Sequence, residues 1–176
     1  MTTATLVLVL AALNQAPASL APRVEYFLVE NRILGPDGKP LDGMAGLARR
    51  EYRPSEGTIL ETGLAIDPDA GALPTVLVID WTVTGTTGTF KDRAGRMTGT
   101  GKFIGPAWKW TEWSWTATMR DVPGTFRNTA KATRHGVMIH TERIDATGKR
   151  LEAFDERQTR ITKETYDLLR SKLLPQ

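Results

Sequence analysis

GRMTGTGKFIGPAWKWTEWSWTATMR, residues Gly95–Arg120, is the stretch on which the fold turns. Four of the five tryptophans, Trp108, Trp110, Trp113 and Trp115, fall within eight residues of it, with threonine, glycine and alternating polar positions around them. On a helix this run would put bulky aromatics on every side with poor helix formers between them. It predicts a long β-strand that begins at Gly105-Pro106. Side chains alternate faces along a strand, so Trp108 and Trp110 fall with Glu112 and Ser114, and Trp113 and Trp115 with Ala117 and Met119. One extra residue near Thr111 and Glu112, a β-bulge, would turn all four indoles to the same side. Without it, one pair of tryptophans would face solvent and need covering.

Strands and tight turns alternate on both sides of this segment. Arg23–Leu34 is β-branched and aromatic, and Gly35-Pro36-Asp37-Gly38 turns it. A second turn is expected around Leu41-Asp42-Gly43, ahead of a strand over Ala45–Tyr52. Thr58–Ile66 follows, then a loop at Asp67–Gly71. Thr75–Gly85, TVLVIDWTVTG, sets Leu77, Ile79, Trp81 and Val83 on one face. Thr86–Phe90 and Arg96–Phe103 read as a hairpin turned at Asp92–Gly95. After the tryptophans come Thr125–Thr133, Val137–Ile144 and Arg150–Ile161, separated by Asp121–Gly124, Arg134–Gly136 and Asp145–Lys149. Only the end is helical: Thr162 caps residues 163–174, with Tyr166, Leu169 and Leu173 at helical spacing. That helix is expected to close one end of the sheet.

No connection is long enough for the crossover that parallel pairing requires. The fold class is therefore all-β, an antiparallel meander. So wide a sheet must close to protect its edges, which predicts a barrel of roughly eight to ten strands with a short C-terminal helix. The interior of such a barrel holds one small ligand.

The first twenty-two residues carry no charged side chain, and LVLVLAAL (Leu6–Leu13) is a short apolar run followed by small residues. This pattern reads as a secretory signal peptide too short to span a bilayer, although no Lys or Arg precedes the apolar run. Residues 23–176 are then a single exported domain, periplasmic in a bacterial cell, with no transmembrane segment in the mature chain. A length of 176 residues favours one domain over two. The net charge is only +3 and the basic residues are scattered, which points away from nucleic acid. Cysteine is absent, and this excludes disulfides, thiolate metal sites, a cysteine nucleophile and a lipid-anchor cysteine.

A small exported meander barrel with turns such as GPDG and DATGK and a terminal helix resembles the calycin group, the lipocalins and fatty-acid-binding proteins and related bacterial lipocalin-like domains. The resemblance covers residues 23–174 and is one of pattern. Gly-x-Trp, which marks the first lipocalin strand, does not occur here, so no binding residue carries over. What the resemblance implies is ligand carriage.

Chemistry is sparse. His135 and His140 are the only histidines, and their spacing sets them on opposite faces of a strand, so no two-histidine metal site forms. Asp80 opposes Trp81 in parity and belongs on the outer face. Asp155 and Glu156 point to opposite faces and cannot form an acid/base pair. No Ser-His-Asp order, phosphate loop or nucleophile elbow is present. Arg49, Arg127, Arg143 and Arg157 lie mid-strand; Arg143 shares its face with Val137, Ile139 and Thr141 and has the best claim to the interior. There it would meet a planar anion, or else pair with Glu142, Asp155 or Glu156 across strands.

The expectation is non-enzymatic binding of a small apolar or amphipathic molecule, with no catalytic residue, no metal and no cofactor. Trp81, Trp113 and Trp115 would form the walls, Trp108 and Trp110 the mouth, and Arg143 and His140 the polar contacts. Two readings compete: a barrel enzyme acting on a hydrophobic substrate with His140 as acid/base, and a filled barrel that only meets other proteins. Oligomeric state is not legible.

Overall fold

The computed structural model describes residues 21–35, 37–66 and 75–174. The expected export signal lies almost wholly outside these residues, and the Asp67–Gly71 loop lies wholly outside them. Ten strands close into a barrel in which each pairs antiparallel with its neighbour in the chain. They are β1 (Arg23–Leu34), β2 (Pro40–Arg53), β3 (Thr58–Ile66), β4 (Thr75–Thr84), β5 (Thr87–Asp92), β6 (Met97–Ile104), β7 (Glu112–Met119), β8 (Val122–Ala132), β9 (Gly136–Ile144) and β10 (Arg150–Ile161). The seam is β1 against β10, from Tyr26↔Ile161 to Leu34↔Ala153. Closure leaves no unpaired edge among these strands. This is the all-β meander barrel expected, and it is compatible with a calycin-like fold.

Two local expectations fail. β2 runs through Leu41–Gly43 with no turn, since a register shift at Ile33/Leu34 absorbs the irregularity. The tryptophan segment is not one long strand either. β7 starts only at Glu112, and Gly105–Thr111 is a loop, opened by Gly105 at φ 90° and tied by Lys109 N–H to the Pro106 carbonyl and Thr111 N–H to the Ile104 carbonyl. A positive φ costs glycine little and other residues more. Gly-Pro thus ends a strand here rather than beginning one, and no bulge at Thr111 is needed.

That loop plugs one end of the barrel. Ala107 and Trp110 are buried in it, and Trp110 Nε1–H donates to the Tyr52 hydroxyl (3.3 Å), which donates to Glu25 (3.0 Å). Below it the inward residues Phe27, Tyr52, Ile59, Trp81, Phe103 and Trp113 are all buried in one core. Glycines make room for the rings. A Cβ on Gly101 would stand 2.9 Å from Trp113 Nε1 and 3.1 Å from Trp81 Cη2, so only glycine fits under the indoles.

Helix α1 (Lys163–Leu173) is capped by Thr162, whose side chain accepts from Thr165 N–H (3.2 Å). It does not close a barrel end. Tyr166 is buried against Leu47 and Leu64, and its ring lies 5.0 Å from that of Tyr26. Leu47 and Leu64 alternate with inward Ala48 and Gly63, so the helix lies on the outer wall. It covers an apolar patch that would otherwise face water.

Candidate functional site

Alternation makes the site. Arg49 and Arg50 are adjacent, so one must point out and the other in. Arg49 faces outward and pairs with Glu51 (2.7 Å). Arg50, between inward Ala48 and Tyr52, is 4% exposed. Its Nε donates to Glu61 on the neighbouring strand, and its Nη2 donates to Gln158 Oε1 (3.2 Å) on β10, one strand beyond β1. The guanidinium lies over the rings of Phe27 (5.4 Å), Trp113 (5.5 Å) and Trp110 (5.8 Å). The network extends one step on each side. Trp81 Nε1–H donates to the other Glu61 oxygen (3.2 Å), and Gln158 Nε2–H donates to Glu156 (2.7 Å).

Burial opposes the charge on Arg50, but the Glu61 carboxylate together with Tyr52 more than reverses this and raises the guanidinium above its ordinary range. Burial pushes the Glu156 carboxyl above the usual carboxylate range, against the pull of its Gln158 bond and the Arg50 charge. Asp92, nearer the open end, is drawn below its usual range by the Met97 N–H (2.7 Å), and Arg96 adds to the effect.

The inward residues change character along the barrel axis. At the plugged end they are buried, whereas Val29, Leu77, Ile79, Met97 and Trp115 also point inward yet stay partly exposed. They line an interior cavity of about 480 Å³ that reaches from Trp113 and Arg50 towards Met44 and Met119 at the opposite end. Its volume lies within the roughly 300–1,000 Å³ of small-molecule sites. Three buried polar atoms of its wall have no hydrogen-bond partner among the described residues: Arg50 Nη1, Trp113 Nε1 and Asn31 Oδ1. A buried polar group left unpaired costs free energy, so such atoms are rare in a filled core.

A larger hollow of about 680 Å³ is a depression on the outer wall of β4–β8, and half of its lining residues are threonines. Some of these pair with one another, as Thr100 does with Thr116 (3.4 Å). It holds none of the buried unpaired atoms, and the barrel interior is the better candidate on chemistry.

The sequence-expected residues divide accordingly. Trp113 and Trp115 line the cavity, and Trp81 packs edge-on beneath Trp113 at 4.6 Å. Trp108 and Trp110 belong to the loop at the plugged end, opposite the mouth they were expected to form. His140 is exposed on the outer wall, its Nδ1 2.7 Å from Asp155, and it is not brought to the cavity. Arg143 keeps its inward parity but sits at the rim, bound to Glu152 (2.5 Å) and the Pro123 carbonyl (2.9 Å). Asp80 lies outside, paired with Arg93 (2.8 Å). Arg50, Glu61, Gln158 and Asn31 escape sequence reasoning, which weighs Glu156 only as a neighbour of Asp155 and a cross-strand partner for an arginine. The available signal was parity: Arg50 shares the face of Ala48 and Tyr52.

No helix among the described residues is long and apolar enough to cross a membrane. No protein-family model matches the chain, and no curated protein matches its sequence.

Proposed function

We propose that this protein binds one small amphipathic molecule inside the barrel, as a lipocalin-like carrier. The polar end of the ligand lies on the floor of the cavity beside Arg50 and Trp113. Its apolar part runs along Val29, Leu77 and Ile79 towards the open end. The observation that carries this reading is the set of unpaired polar atoms on the wall of a mostly apolar hollow. A filled core would have replaced them with hydrocarbon or matched them internally.

Tryptophan emission is the natural reporter, because Trp113 and Trp115 line the cavity. Titration with ten-carbon chains bearing different polar ends should give saturable change at one site per chain. Trp113→Phe, which keeps a ring but loses Nε1–H, should weaken binding by about tenfold or less, the scale of one hydrogen bond. A flat response to every ligand refutes the reading. Delivery outside the cytoplasm is part of the same proposal and rests on the uncharged, apolar first twenty-two residues. The mass of the protein recovered from the periplasm, lacking about that length, is its test.

A further inference from the structure

A buried arginine in an apolar cavity suggests an anion receptor, yet the charges facing this cavity argue otherwise. Among the described residues of its lining, Arg50 is the cation that points onto the floor; Arg49 turns outward to Glu51, and Arg96 stands half-exposed at the mouth beside Asp92 (3.5 Å). Three carboxyl groups face the same space: Glu61, Glu156 and Asp92. Glu61 already holds Arg50 through Nε, and Glu156 is joined to it through Gln158. An entering carboxylate would meet a guanidinium whose charge is matched, with the Glu156 carboxyl close by and Asp92 to pass at the mouth. In a desolvated site, unmatched like charges are costly.

Hydrogen-bonding capacity remains where charge does not. Arg50 Nη1 and Trp113 Nε1 are two free donors on the floor, on residues 4% and 2% exposed, while the third unpaired atom, Asn31 Oδ1, lies level with Met44 towards the open end. A carbonyl oxygen has two lone pairs and can accept from both donors without adding a charge to the floor. An ammonium has no lone pair for Arg50 or Trp113, and it adds a cation beside one.

We propose that the ligand of this cavity carries an uncharged carbonyl head, as in a primary carboxamide on an apolar chain, in preference to the carboxylate or amine of the same chain. This rests on the cavity reading given above. Discrimination by unmatched buried groups is a general route to specificity.

The test is calorimetric titration of the full chain with decanamide, decanoate and decylamine at one neutral pH and one ionic strength. Decanamide should bind tighter than either charged analogue by about tenfold or more. Decanoate binding as tightly as the amide, or tighter, overturns the inference and leaves the carrier reading standing; decylamine doing so has the same consequence. No heat from any of the three sinks the carrier reading and this inference together. In Glu156→Gln, which removes a carboxyl but keeps the side-chain volume, the ratio of amide to carboxylate affinity should fall. An unchanged ratio in that folded variant refutes the charge argument.

Discussion

Replacing Arg50 by methionine probes the interior most sharply. Methionine fills much of the same volume, so the effect isolates the guanidinium. The change removes the donors to Glu61 and Gln158 and the stacking on Phe27, Trp113 and Trp110. Glu61 is left with the Trp81 indole as its partner, and Gln158 Oε1 is left with none. Breaking a buried pair from one side costs about 3–5 kcal/mol, because the remaining charge is uncompensated. At an m-value of roughly 2 kcal/mol/M this moves the urea midpoint down by about 2 M. The double variant R50M/E61L removes both charges together, and such replacement is often close to neutral. It should therefore recover most of the loss despite the extra mutation. The assay is equilibrium urea unfolding of wild type, both single variants and the double, followed by tryptophan emission. If R50M costs less than about 1 kcal/mol, or the double variant is as unstable as the sum of the singles, the pair is not the buried network described here.

Glu156→Gln should act on stability with a definite sign. Burial raises this carboxyl in the folded protein above its unfolded value, so the folded state holds more protons as pH climbs past the ordinary carboxylate range. Stability contributed by Glu156 is then lost as pH rises through that window, so E156Q should be more stable than wild type at about pH 8 and gain nothing at about pH 3. Denaturation midpoints at both pH values check this. Gly101→Ala would force a Cβ to within 3.0 Å of Trp115 Cβ as well as against Trp113 and Trp81. Overpacking there should cost about 1–3 kcal/mol and shift the emission maximum. His140→Ala should change stability by no more than about 0.5 kcal/mol and leave ligand titrations unaltered, since the ring is on the outer wall. Thr162→Ala should cost about 1 kcal/mol through the lost cap of α1, read by thermal melting.

The barrel was legible because its information is local. Turn residues between alternating runs fix strand ends, and connections of a few residues leave only antiparallel neighbours, so the meander follows. Parity also placed Trp113 and Trp115 correctly together on the side of Ala117, and Asp80 outside. Two things resisted. Spacing puts Trp108 and Trp110 on a strand, because it cannot tell a strand from a loop that dips into the core. Gly105 at positive φ is a backbone fact that the letters only hint at. A mid-strand position singles out Arg49, Arg127, Arg143 and Arg157 and says nothing for Arg50, since an arginine inside a barrel is unfavourable until its partners are known. Those partners, Glu61 and Gln158, sit on two other strands and meet it only after closure. A site built from long-range pairings is not written in any one segment.

A crystal grown with 10-bromodecanamide offers the most direct trial of the idea that this barrel is a container. The anomalous signal of bromine locates the far end of the ligand with no reliance on shape. The account predicts one bromine per chain inside the barrel, near Met44 and Met119 at the open end, with the amide beside Arg50 and Trp113. Bromine found only on the outer wall, or an interior occupied by the protein's own side chains, would contradict it.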